Sequence, residues 1–196
     1  MTLLLLVAAY LLGSIPFAIV TSRLFGLTDP RRYGSGNPGA TNVLRSGSKA
    51  AAALTLVGDC AKGWLAVWAA GALGFDPGVA ALAGLFAFFG HVFSVFLRLR
   101  GGKGVATALG VLAGISGWLA LCALAVWLAV AFVSRYSSAA ALAAAAIAPL
   151  AGLVLVGDAL AIGVLLAMSA TLVLRHADNI RRLKNGTEGK IGGRKR

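Results

Sequence analysis

The stretch VATALGVLAGISGWLALCALAVWLAVAFV, residues 105–133, runs for 29 residues without a charge. A membrane-crossing helix needs about 20 apolar residues, so this run is too long for one ordinary crossing and short for two. The flanking charges decide between them. Segments 23–49, 98–103, 134–137 and 175–196 hold 5, 3, 1 and 8 Lys/Arg, whereas GALGFDPG (71–78) and LVGDA (155–159) hold none. A single crossing would set Arg135 opposite the RLRGGK cluster (98–103) and carry the basic tail to the far side. Two crossings, with a turn near GISG (114–117), gather every basic segment on one face, as the positive-inside rule requires. The reading is therefore all-α: a polytopic integral membrane protein with seven transmembrane helices, the fourth short. The N-terminus is expected outside and the C-terminus in the cytoplasm. The remaining spans are 3–22, 50–73, 79–97, 138–156 and 159–175.

Composition agrees. Of 196 residues, 59% are hydrophobic and 12% charged, with mean hydropathy +0.88. That leaves too little polar surface for a soluble domain. The net charge of +12 follows from basic residues on one membrane face, with no nucleic-acid partner needed. The opening run MTLLLLVAAYLLGSIPFAIV has no basic residue ahead of it and Arg23 behind it, so it reads as a retained first span rather than a cleaved signal. Cys60 and Cys122 fall inside spans, in no metal-ligand spacing, and behave as small hydrophobes. The chain reads as one membrane-embedded domain, 1–196, with no repeat. Its Ala-rich SSAAALAAAAIAPLAG (137–152) suits close helix packing.

The unusual chemistry lies in three polar loops on the basic face: 34–45, 98–107 and 175–190. In GSGNPGATN (34–42), closed by Arg45, the glycines Gly34, Gly36 and Gly39 permit positive φ and uncovered N–H groups. Such N–H concavities bind phosphate. Ser35, Asn37, Thr41 and Asn42 add neutral hydrogen-bonding groups, and Arg45 a bidentate fork. RLRGGKGVAT (98–107) is not a Walker A loop, because Leu97 and Val105 stand where Gly and Ser/Thr belong. Gly101, Gly102 and Gly104 around Lys103 would instead open an anion-binding helix N-terminus. In RHADNIRRLKNGTEGK (175–190), His176, Asn179 and Leu183 share a helical face, with Arg175 and Arg182 alongside. Taken singly, these are equally a Gly-rich turn, a positive-inside loop and a solvated basic helix end. Three phosphate-compatible loops on one face favour a phosphate site.

These motifs, with YLLGSIPFA in the first helix and DCAKG in the second, resemble the bacterial membrane acyl-phosphate:glycerol-3-phosphate acyltransferases, from residue 10 to about residue 190. The resemblance implies transfer of a fatty acyl group from acyl phosphate to the sn-1 hydroxyl of glycerol 3-phosphate. Lysophosphatidic acid and inorganic phosphate result, in the first acylation of phospholipid biosynthesis, with no cofactor and no metal. The partners implied are the two substrates and membrane lipids, in the bacterial cytoplasmic (inner) membrane. It further implies that Ser35 and Arg45 are needed for activity, and that the loop of Lys103 binds substrate phosphate. His176, Asn179 and Glu188 would serve the active site, Glu188 among the groups that bind substrate or phosphate, and Ser137 or Ser138 would help to bind phosphate. Ser94 stands where relatives commonly have proline, and LRLR (97–100) replaces a more aromatic ending.

A mixed anhydride already carries a stable leaving group, so positioning and charge neutralisation suffice. The sequence has neither a G-x-S-x-G elbow nor an H-x-x-x-x-D pair: His91 leads to Phe96 and His176 to Arg181. Arg45 and Lys103 are expected to hold the two phosphates, while His176 and Asn179 orient the glycerol hydroxyl. Asp59 and Lys62 within helix two read as a self-neutralising pair in preference to a functional intramembrane charge, and His91 stands open between a hydrogen-bonded packing role and catalysis. A transporter of phosphorylated solutes is the competing class, but the sequence has no inverted repeat.

Overall fold

Apolar runs in lipid must close their own backbone hydrogen bonds, and helices do this within one segment. In the structure, a computed structural model describing residues 1–192, ten α-helices and two single 3₁₀ turns form and no strand appears among the described residues. Residues 193–196, with three of the tail's basic residues, lie outside the described residues.

The first apolar run is two helices, α1 (Thr2–Ser14) and α2 (Phe17–Leu24), not the single helix expected. Pro16 causes the break: it has no N–H to donate and clashes with the preceding turn. Ser94 Oγ donates to the freed carbonyl of Ser14 at 2.6 Å, and Lys62 Nζ to that of Ile15 at 2.8 Å. After a 3₁₀ turn at Pro30–Arg32 come α3 (Ala40–Leu44) and α4 (Lys49–Ala72), the latter N-capped by Ser48 Oγ. Asp76 caps α5 (Pro77–Val92), with Pro77 suitably placed in the first turn. A second 3₁₀ turn follows at Val95–Leu97.

The 105–133 run divides where charge predicted. Helix α6 (Val105–Ile115) ends at Ser116, which adopts an extended φ of −158° and N-caps α7 (Gly117–Ser134) through Oγ. Then come α8 (Ser137–Leu155), α9 (Ala159–Arg175), capped by Asp158, and α10 (Ala177–Lys184). Five helical segments are long and apolar enough to cross a membrane: Thr2–Leu24, Lys49–Ala72, Pro77–Leu97, Gly117–Ser134 and Ser137–Leu155. Helices α9 and α10 make a sixth if their 56° bend lies within one span. Helix α6, about 16 Å long at 1.5 Å per residue, is shorter than a hydrocarbon core.

Helix α5 sits at the centre, against α1, α4, α6 and α9. Small residues set these contacts. A Cβ at Gly110 of α6 would overlap the Cys60 carbonyl oxygen of α4, and one at Gly63 of α4 the Thr107 carbonyl oxygen of α6. In α8 the alanines Ala140, Ala141, Ala145 and Ala148 face inward, while Leu150, Leu153 and Val154 face out. Gly110→Val should force α4 and α6 apart. We expect a loss of roughly 1–3 kcal/mol, as for other overpacked cores, seen as a lowered unfolding temperature in detergent; an unchanged temperature would mean the helices have slack.

Candidate active site

The first loop is organised by one buried side chain. Asn42, 2% exposed, donates through Nδ2 to the carbonyls of Pro30 (2.6 Å) and Tyr33 (3.2 Å) and accepts the Ser35 N–H on Oδ1 at 3.0 Å. Gly34 and Gly36 take left-handed φ of +61° and +68°, as expected, but Gly39 is extended at −146°. The expected N–H concavity is corrected here. The Gly36 N–H donates to the Tyr33 carbonyl and that of Gly39 to the Asn37 carbonyl, so with Ser35 these donors are consumed within the loop. Asn42 holds the loop rather than a ligand. Thr41 Oγ1 lies 3.3 Å from Ser137 Oγ and ties the loop to α8. Arg45 Nη1 reaches Asn42 Oδ1 at 3.4 Å.

The second loop needs the same correction. The N–H groups of Gly101 and Gly102 donate to the carbonyls of Val92 and His91, each at 3.1 Å. Their lack of a side chain serves clearance: a Cβ at Gly101 would overlap the His91 carbonyl, and one at Gly102 the His91 ring. Gly104 (φ +88°) precedes α6, whose first N–H groups have no side-chain cap and remain suited to an anion. Lys103 projects from this turn and donates through Nζ to Asn179 Oδ1. Burial pulls its pKa down to about 8, against the opposing pull of Glu188.

The third cluster forms where α9 bends into α10. His176, buried, places Nδ1 2.7 Å from the Leu172 carbonyl. A carbonyl only accepts, so Nδ1 carries the proton and Nε2 the lone pair. Burial holds the imidazole below its ordinary pKa, neutral at pH 7. Glu188 accepts from Ser138 Oγ and Asn179 Nδ2 on Oε1, each at 2.6 Å, and from Arg182 Nε on Oε2 at 2.7 Å. Burial alone would raise its pKa, but these hydrogen bonds outweigh burial and keep it below the usual glutamate value. Its expected place among phosphate ligands is therefore corrected: an anionic carboxylate repels phosphate, and Glu188 orders the donors around it. Ser138 spends its hydroxyl on that carboxylate.

The three loops do meet. Lys103, Asn179, Glu188 and Ser138 form one hydrogen-bonded chain, and Arg175 Nη2 donates to the Gly101 carbonyl at 3.2 Å. A Cβ on Gly189 would stand 3.7 Å from Arg45 Nη2. Beside this chain opens a cavity of about 1010 Å³, walled by Ser35, Gly36 and Asn37 of the first loop, Gly101 and Lys103 of the second, and Arg175. Arg45, His176 and Asn179 lie behind Lys103 rather than on the cavity wall. Four further arginines line it: Arg31, Arg32, Arg98 and Arg100. The sequence reading counted them only as membrane-flanking charge, although DPRR (29–32) carried a local signal, since Asp29 caps its own 3₁₀ turn and pairs with Arg31 at 2.6 Å. No three His, Cys, Asp or Glu side chains gather as a metal site among the described residues.

Fold and site together define a polytopic helical membrane protein with a basic, phosphate-compatible cavity at one end of its bundle. The family model described as glycerol-3-phosphate acyltransferase matches residues 3–186. A glycerol-3-phosphate acyltransferase of Aromatoleum aromaticum is 74% identical over 98% of each chain, and that of Bordetella pertussis 58% identical over 97% of this chain and 92% of its own. The crystal structure of PlsY (YgiH), an integral membrane glycerol 3-phosphate acyltransferase, superposes in its glycerol 3-phosphate form with a TM-score of 0.91 at 39% identity. The superposition covers 96% of this chain and 94% of that one. The lysophosphatidic acid form gives 0.89 at 38% identity over the same shares. The chain belongs to the glycerol-3-phosphate acyltransferase family.

Lys103 is charged below its pKa of about 8 and loses the charge above it. A phosphate monoester completes its second ionisation near pH 6, so its own charge is constant there. Its binding should therefore be full at pH 7 and weaken as pH rises through 8. Lys103→Arg stays protonated and should lose that alkaline limb; the same limb in both proteins would remove Lys103 from phosphate binding.

Proposed function

We propose that the protein transfers a fatty acyl group from acyl phosphate to the sn-1 hydroxyl of glycerol 3-phosphate, at the cytoplasmic face of the bacterial inner membrane. The observation that carries this reading is the cavity itself. It joins Ser35 of the first loop to Lys103 of the second, with the Asn179–Glu188 chain behind, and its cations outnumber its acids. Two phosphate-bearing substrates need that excess of positive charge.

In the reaction, the sn-1 oxygen attacks the acyl carbonyl carbon, and the bond between that carbon and the bridging phosphate oxygen breaks. Inorganic phosphate leaves with the electron pair, and the ester product is lysophosphatidic acid. Lys103 and the arginines of the cavity wall, with Arg45 behind them, neutralise the two phosphates, and Ser35 faces the donor's headgroup. Asn179 is fixed by Glu188 and in turn holds the Lys103 ammonium. His176, with its proton pinned on Nδ1, offers the Nε2 lone pair to the attacking hydroxyl. The hydroxyl proton passes to that nitrogen or to the departing phosphate. The leaving group is a stable anion, so no covalent acyl-enzyme is required.

Seven crossings with an external N-terminus complete the reading. The split of 105–133 at Ser116 supports it, as do contacts that draw the basic segments together: Ile191 N–H to the Arg135 carbonyl at 2.7 Å, and Arg175 to Gly101. A reporter fused after residue 76 should report the outside, and one fused after residue 103 or 135 the cytoplasm; the reverse pattern overturns the topology.

The donor is tested on purified protein. Phosphate release from acyl phosphate should require glycerol 3-phosphate, while acyl-CoA should support no turnover. Equal rates with acyl-CoA would overturn the donor. Uptake of glycerol 3-phosphate into vesicles without ester formation would favour a transporter.

A further inference from the structure

We propose that His91, backed by Asp59 and Lys62 inside the bundle, is a positioning residue that sets the Lys103 loop; this rests on Lys103 holding a substrate phosphate. None of the three belongs to the machinery described above. Asp59 and Lys62 on α4 are 2% and 1% exposed, and His91 at the end of α5 is 7% exposed. Asp59 Oδ1 stands 2.7 Å from Lys62 Nζ and 3.3 Å from His91 Nδ1. Lys62 also takes the Ile15 carbonyl at the break of the first span.

A buried ion pair is a weak source of stability, often matched by apolar residues of the same volume. Its geometry points to a second task. His91 meets the loop with both backbone and ring. Its carbonyl accepts the Gly102 N–H, the neighbouring Val92 carbonyl accepts that of Gly101, and its ring lies so close to Gly102 that no Cβ fits between. Lys103 is the next residue. A gap of only about 10 Å³, lined by Lys62, His91 and Gly102 on one side and Pro38 of the first loop on the other, leaves the His91 ring little room to move. A rotation of the His91 ring would push on Gly102 and move Lys103 relative to Asn179. The Asp59 carboxylate, 3.3 Å from Nδ1, favours the present ring orientation electrostatically, and Lys62 at 2.7 Å sets the carboxylate from the other side.

The test is a double-mutant cycle on the purified protein, with unfolding temperature measured alongside. His91→Phe keeps a ring under Gly102 but loses the contact with Asp59. It should lower kcat/KM for glycerol 3-phosphate by up to about 10²-fold, the scale of a 1 Å misplacement, at nearly unchanged unfolding temperature. His91→Asn, which keeps a donor toward Asp59, should recover part of that loss. In a Lys103→Ala background, His91→Phe should change the rate by less than about twofold, because both act through one group. Losses that multiply in the double variant, or wild-type kinetics in His91→Phe, overturn the proposal. Should His91→Phe fail to fold, the smaller His91→Leu, which also loses the contact with Asp59 but leaves Lys62 on the Ile15 carbonyl, runs the same cycle with the same outcomes. A wild-type protein without turnover would refute the proposed reaction instead, and the cycle would then be read through binding of inorganic phosphate.

Discussion

Pro16 breaks the helical ladder of the first span and leaves the Ser14 and Ile15 carbonyls without their usual helical partners. Ser94 takes the Ser14 carbonyl, while that of Ile15 is shared by the Phe17 N–H at 3.1 Å and Lys62. An unsatisfied group in hydrocarbon would cost several kcal/mol, so the Ser94 hydroxyl matters most here and Lys62 reinforces the break. Lysine is an expensive choice unless paired, which brings in Asp59, and Asp59 in turn faces His91.

The same logic of compensation runs through the polar end with opposite sign. A cavity lined by arginines and Lys103 would repel its own members without an anion nearby. Asp29, paired with Arg31, and Asp178 stand on its wall, and Glu188 adds a third anion whose hydrogen bonds from Ser138, Asn179 and Arg182 spread its influence over helices α8 and α10. It sits behind Lys103 rather than in the cavity, so it lowers the mutual repulsion without competing with phosphate for the front. Lys103 is thus held partly desolvated, with a pKa near 8, where its charge is intact at neutral pH but weakly hydrated.

The sequence made the helices legible because lipid allows few alternatives, and the break at Ser116 legible because 29 apolar residues exceed one ordinary crossing. It also singled out three polar loops, which the Lys103–Asn179–Glu188–Ser138 chain and the cavity wall bring together. It misjudged what the glycines do. A glycine announces that a side chain is unwelcome, yet whether the reason is a left-handed turn, as at Gly34, or a ring lying against it, as at Gly102, depends on a partner elsewhere in the chain. His91 is eleven residues before Gly102 and gives no local sign of the contact. Glu188 was drawn into the phosphate ligands by proximity to His176 and Asn179 in a motif; only its three donors reveal that its role is to hold them.

Helix α6 fixes where the Lys103 loop stands. Gly63 and Gly110 let α6 lie close against α4, because a Cβ at either would overlap a carbonyl of the other helix. At about 16 Å the helix is shorter than a hydrocarbon core of about 30 Å. Its Gly104 end carries N–H groups without a side-chain cap, and Lys103 projects from the same turn to Asn179. The backbone that packs α6 into the bundle therefore also carries the ammonium on the cavity wall, so a shift of α6 against α4 would move Lys103 relative to α10.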